Sequence, residues 1–177
     1  CFAEDGRPPD EATVVELRDD GLYVVSCRRG HETLTAIQEQ KFEVLFDLGA
    51  MALLDGYPRE AISSIAASLE RFLEYYVQVV ALQHGVSPEA YAAASKPMSQ
   101  QSERQLGAFI FAYLIHNGRG VDPLVHESKP LLEGRARGDT PTWSQFRNRV
   151  VHQGYIPSTA EALAFGDLVY QWIHRLI

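Results

Sequence analysis

A chain of 177 residues, 46% hydrophobic and 22% charged, has the length and composition of a folded protein with a real core, which excludes disordered and fibrous classes. Its formal net charge of -7 excludes wholesale nonspecific binding to nucleic acid, which draws on a basic surface. Two cysteines, Cys1 and Cys27, are too few for a disulfide framework, no run is apolar enough to cross a bilayer, and no secretory leader pattern is visible, so a reducing, cytoplasmic location without membrane attachment is expected. Cys1 stands where a start methionine would, which reads as a fragment or a processed chain.

The first 38 residues read as a small β-rich element. Thr13–Leu17 and Leu22–Ser26 are β-branched or aromatic runs, and Asp19-Asp20-Gly21 between them predicts a hairpin turn. Arg28-Arg29-Gly30 is a second turn signal, followed by a short third strand over Thr33–Ile37. From about Gln38 the period changes to three and four, with Phe42, Leu45, Phe46, Gly49, Ala50 and Leu53 on one face, which predicts an amphipathic helix to about Asp55-Gly56.

Pro58 suits the first turn of a long, apolar, central helix running to about Gln83. Ser87-Pro88-Glu89 opens a short alanine-rich helix that Lys96-Pro97 is expected to stop. Ser99 or Ser102 is the expected cap of the next helix, which ends at Asn117-Gly118. Residues 118–141 read as an irregular wrap rich in Gly, Pro and charge. Two capping boxes follow, Thr142-x-x-Gln145 and Ser158-x-x-Glu161, each opening a helix, with Gly154 and Pro157 between them. The expected fold is mainly α: residues 39–177 form a bundle of four to five helices behind a small N-terminal β-hairpin or short sheet over residues 1–38.

Chemistry concentrates in the helix after Thr142. Arg147, Asn148 and His152 fall within six residues, just before Gly154. At 100° per residue Asn148 and His152 share a face, whereas Arg147 and His152 lie about 140° apart, so one copy cannot easily aim both at one atom. The only locally basic stretch surrounds them: between Lys129 and Arg149, five basic residues stand against two acids, a net of +3.

Arg147-Asn148-x-x-x-His152 followed by Gly154, in the penultimate helix of a helical bundle, resembles the signature of the HEPN superfamily: an arginine, then a polar residue, and a histidine after four to six intervening positions, four here. The segment Ala67–Glu74 is similar to that family's early helix, and Ile156-Pro157-Ser158 to its approach to the last helix, so the resemblance covers about residues 39–177. It implies a homodimer in which two motif helices meet, and a metal-independent endoribonuclease needing no cofactor, of the kind found in toxin–antitoxin pairs and antiviral defence. Arg147, Asn148 and His152 would then be catalytic, and RNA the substrate. His152 would act as base or acid, Arg147 would hold the phosphate, and Asn148 would orient His152. Arg149, Tyr155, Arg135 and Arg137 are the expected substrate-binding residues, and a protein partner or antitoxin is expected where activity is controlled. The alternative is a non-catalytic HEPN-like module that dimerises or binds a ligand or partner.

Glu70 has two readings, a core-edge carboxylate close enough to pair with Arg147, or a solvated one. Cys27-x-x-x-His31 looks like half of a zinc knuckle, with an incomplete ligand set, so Cys27 and His31 are only weak metal candidates beside a packed hairpin cysteine. His84, His116, His126 and His174 have no metal-ligand spacing and read as capping or surface groups. No phosphate-binding glycine loop, HExxH or Ser-His-Asp order is present.

Overall fold

The computed structural model describes residues 14–27, 29–121 and 142–177, in two compact units, residues 1–40 and 41–177. The first unit holds an antiparallel hairpin of β1 (Leu22–Ser26) and β2 (Glu32–Ala36), in register from Leu22 opposite Ala36 to Ser26 opposite Glu32. The turn is closed by the Cys27 amide donating to the His31 carbonyl at 2.9 Å and the Gly30 amide to the Cys27 carbonyl at 2.9 Å, with Gly30 at φ +80. Here the strand pairing expected from sequence is corrected. Residues 14–17 are not a strand, and Val14 is 95% exposed. Asp19-Asp20-Gly21 does turn, with the Leu22 amide donating to Asp20 Oδ1 at 3.1 Å, but it only leads into β1. Two flanking runs had similar β propensity, and both turns carry a left-handed glycine, Gly21 at φ +61 and Gly30 at φ +80, so neither signal selects the partner.

Among its described residues the second unit has six helices: α1 (Lys41–Leu54), α2 (Pro58–Gln83), α3 (Pro88–Met98), α4 (Ser102–Asn117), α5 (Trp143–His152) and α6 (Thr159–Leu176). The fold is therefore mainly α with a small N-terminal hairpin. At 26 residues α2 is the axis, and it packs against α1, α4, α5 and α6. Its apolar positions recur at three and four, and Ile62, Ile65 and Phe72 are sealed from solvent with Phe109, Phe146, Val150, Phe165 and Val169 from the other helices.

Gly49 lets α1 lie close to α2. A Cβ there would sit 2.6 Å from Ile65 Cγ1 and 3.1 Å from the Ala61 carbonyl oxygen, which is backbone and cannot swing aside. Gly49→Ala is expected to destabilise the fold by about 1–3 kcal/mol, despite alanine's better helix propensity. Denaturant unfolding checks it: the midpoint should fall at unchanged slope.

Both capping boxes form. The Gln145 amide donates to Thr142 Oγ1 at 3.3 Å, and the Thr142 amide to Gln145 Oε1 at 3.0 Å. The Glu161 amide donates to Ser158 Oγ at 3.2 Å, and the Ser158 amide to Glu161 Oε2 at 2.8 Å. Two expected boundaries shift. α3 runs through Pro97 to Met98, because a proline in the last turn forfeits little beyond its own amide bond. α4 is capped by Gln101 without a side-chain bond, and Ser102 is its first residue, while Ser99 Oγ instead donates to the Lys96 carbonyl at 3.3 Å. Buried Gln105 ties this end to α2, its Nε2 donating to Glu74 Oε1 at 2.7 Å and to the Ser99 carbonyl at 3.2 Å. α4 ends at Gly118 in the left-handed region, φ +66, as Asn117-Gly118 predicts. Among the described residues no helix is long and apolar enough to cross a membrane. Of the expected wrap, residues 122–141 lie outside the described residues, and Arg135, Arg137 and His126 with them.

Candidate functional site

α5 presents the Arg-Asn-His cluster, and its own core face decides where each side chain goes. Trp143, Phe146 and Val150 are buried, which fixes the inward direction. Measured from it at 100° per residue, Arg147 lies about 70° round, Asn148 about 170° and His152 about 150°. Accordingly Arg147 is half-buried on the flank toward α2, whereas Asn148 and His152 are exposed on the outer face. His152 is the last residue of α5, where the helix dipole places partial negative charge.

Arg147 is anchored. Its Nη2 makes a short charged hydrogen bond to Glu70 Oε1 on α2, and its Nη1 donates to Asn148 Oδ1 at 2.9 Å. Glu70 is thus a paired carboxylate and not a solvated one; the pair's side chains remain 26% and 23% exposed. The carboxamide of Asn148 serves Arg147, where the expectation had been that it orients His152. At this partial exposure the pair is worth more than a surface bridge and less than a buried one, so Glu70→Gln is expected to cost about 1–2 kcal/mol of stability. Thermal or denaturant unfolding checks the loss; Glu60→Gln, whose exposed carboxylate lies 3.7 Å from Arg59 on the same helix, is the control.

Beyond α5 the chain turns at Gly154, φ +71, and the Arg149 carbonyl accepts from the amides of Gln153 at 3.2 Å and Tyr155 at 3.0 Å. Arg149 lies over the Tyr155 ring, 4.7 Å from its centroid, and the Tyr155 hydroxyl donates to Glu161 Oε1 at 3.0 Å. These two expected substrate contacts are therefore also parts of the α5–α6 corner, with Tyr155 set edge-on to Phe146 at 6.2 Å.

Beside Arg147 a cleft of about 170 Å³ opens between α2, α4, α5 and α6. Leu69, Leu73, Leu106, Phe165 and Trp172 contribute apolar lining; Arg147, Asn148, Glu70, Ser102, Glu103 and Ser144 are polar. Two carboxylates against one guanidinium leave the lining formally acidic. Trp143 also lines the cleft; its indole is buried, and Nε1–H has no partner among the described residues. Sequence reasoning missed this cleft, Glu103 and Trp143. The one available signal was a tryptophan directly after a capping threonine, facing the core of a helix otherwise rich in polar residues.

Cys27 is a free cysteine, and among the described residues no group of three or more His, Cys, Asp or Glu could hold a metal ion. The backbone N–H groups of Arg29 and then His31 favour its thiolate and lower its pKa below the ordinary cysteine value. His84 instead closes α2 through Nδ1 and the Val80 carbonyl at 2.9 Å, lying 6.1 Å from the His116 ring, while His174 stacks on Tyr170.

Comparison with protein-family models, with curated proteins and with solved structures returned no match.

Proposed function

We propose that the chain is a HEPN-type, metal-independent endoribonuclease, and that Arg147, Asn148 and His152 form half of a cleavage site completed by a second copy. The observation that carries this reading is the division of α5: Asn148 and His152 face outward, away from their own core, while Glu70 holds Arg147 at the flank. An outward-facing histidine needs an opposing surface before it can enclose a substrate, and a second α5 related by a two-fold axis supplies it.

Metal-free RNA cleavage requires a base for the 2'-hydroxyl, an acid for the leaving 5'-oxygen, and positive charge beside the pentavalent phosphorus. Two His152 imidazoles divide the first two roles. Arg147 supplies the third; two of its five donors are committed to Glu70 and Asn148, which orients the remainder. Arg149, two positions on and held over Tyr155, is the proposed contact for a neighbouring phosphate. A toxin or antiviral role, with a protein partner that restrains the activity, accords with such a nuclease.

The second reading is a non-catalytic dimerisation or ligand-binding module, favoured by the fact that Arg147 is already satisfied by Glu70 and Asn148. The deciding experiment is incubation of the purified chain with single-stranded and structured RNAs in excess chelator. Cleavage that survives chelation and vanishes in His152→Ala supports the nuclease; intact RNA throughout, from a folded dimeric preparation, leaves the module.

A further inference from the structure

We infer that the cleft beside Arg147 is a pocket for one unstacked nucleobase, an inference that rests on the nuclease reading and gives its substrate a single-stranded site. Size comes first. At about 170 Å³ the cleft is close to a cavity that holds one benzene and well below a pocket for a whole nucleotide, so a ring system enters and its sugar stays outside. The body of the occupant must be flat and weakly polar, because Leu69, Leu73, Leu106, Phe165 and Trp172 contribute so much of the lining.

The edge of the occupant must carry both donors and acceptors. The hydroxyls of Ser102 and Ser144, partly buried at the cleft, can donate to a ring nitrogen or carbonyl. Glu103 is exposed at the cleft and can take a donor, an exocyclic amino group being the matching one, while Ser144 and Asn148 can do either. An apolar plane edged with both kinds of group describes a nucleobase. The formally acidic lining disfavours a phosphate inside the cleft, and Arg147 at its margin favours one just outside. A base held there would place its attached phosphate next to the motif helix.

The chain has two tryptophans, Trp143 and Trp172, and both line the cleft, so intrinsic fluorescence reports its occupancy independently of cleavage. The probes are hexanucleotides of A, C or U and the four free nucleoside monophosphates, titrated against the wild-type chain and against His152→Ala, which removes a side chain that does not line the cleft. At least one hexanucleotide should change the emission saturably in both proteins, and the binding should weaken by about tenfold or more in Ser144→Tyr, which fills the margin of the cleft. Thermal melting checks that Ser144→Tyr is folded. If it is not, Glu103→Gln serves, and should change the ratio of affinities between amino-bearing and amino-lacking bases by about fivefold or more.

Mononucleotides binding as tightly as RNA would support the base pocket with a free nucleotide as its source. No emission change with any probe, or a change untouched in both variants, overturns the pocket. Cleavage without an emission change overturns the pocket and leaves the nuclease standing; an emission change without cleavage supports the pocket and removes the nuclease.

Discussion

With a chelator present, His152→Ala should lose RNA cleavage by about 10²–10⁴-fold, the usual contribution of a positioned general acid or base. The fold should be indifferent, since His152 is exposed at the end of α5. Arg147→Ala should lose about 10²–10³-fold, as for removal of one donor to a developing anion. It should also destabilise, because Glu70 is left without its cation. The two variants thus differ in stability while agreeing in activity, and paired melting and gel-based cleavage assays read both. Mixing wild-type subunits with an excess of His152→Ala subunits tests the composite site: the mixed dimer keeps one imidazole where the reaction uses two, so wild-type cleavage should fall after subunit exchange. Cleavage unchanged by exchange argues against the shared site; activity retained by His152→Ala alone sinks the assignment.

The largest effect on stability is expected at Phe72. Its ring is 1% exposed and meets Phe42 at 5.2 Å, Trp172 at 6.1 Å and Tyr76 at 6.3 Å, so it joins α1, α2 and α6. Phe72→Ala removes buried area and leaves a void that three large neighbours cannot collapse into, at a cost of about 3–5 kcal/mol. Against a total stability of about 5–15 kcal/mol for an ordinary domain, that is enough to populate the unfolded state visibly. Phe72→Leu should cost less than half as much. Denaturant unfolding followed by the fluorescence of Trp143 and Trp172 measures both, and equal effects for the two variants would contradict the packing argument.

The order of the helices and their caps was legible because each rests on neighbours in sequence. The three-and-four period of α2, the left-handed glycine after Asn117 and the two threonine and serine capping boxes are all local, and the helices appear where they predict. The outward face of α5 was legible for the same reason: the 100° step separates Asn148 and His152 from Trp143 and Phe146 before any packing is known. What failed was pairing. β1 had a candidate partner on either side, and nothing in their propensities chose between them. The cleft was invisible because its lining comes from α2, α4, α5 and α6, and helical periodicity marks Leu73, Leu106 and Phe165 as apolar without saying that space remains between them. Glu70 and Arg147 are 77 positions apart, so their pairing follows from how α5 crosses α2.

The corner between α5 and α6 has a consequence for how this chain can change length. Its start is held by the Arg149 carbonyl, which accepts two amides, and its end by Ser158, which is bonded to Glu161; the Tyr155 hydroxyl ties the middle to the same carboxylate. Residues 153–157 therefore act as a spacer of fixed length rather than as a tolerant surface loop. An inserted residue would break one of these attachments and rotate the last turn of α5 relative to α6.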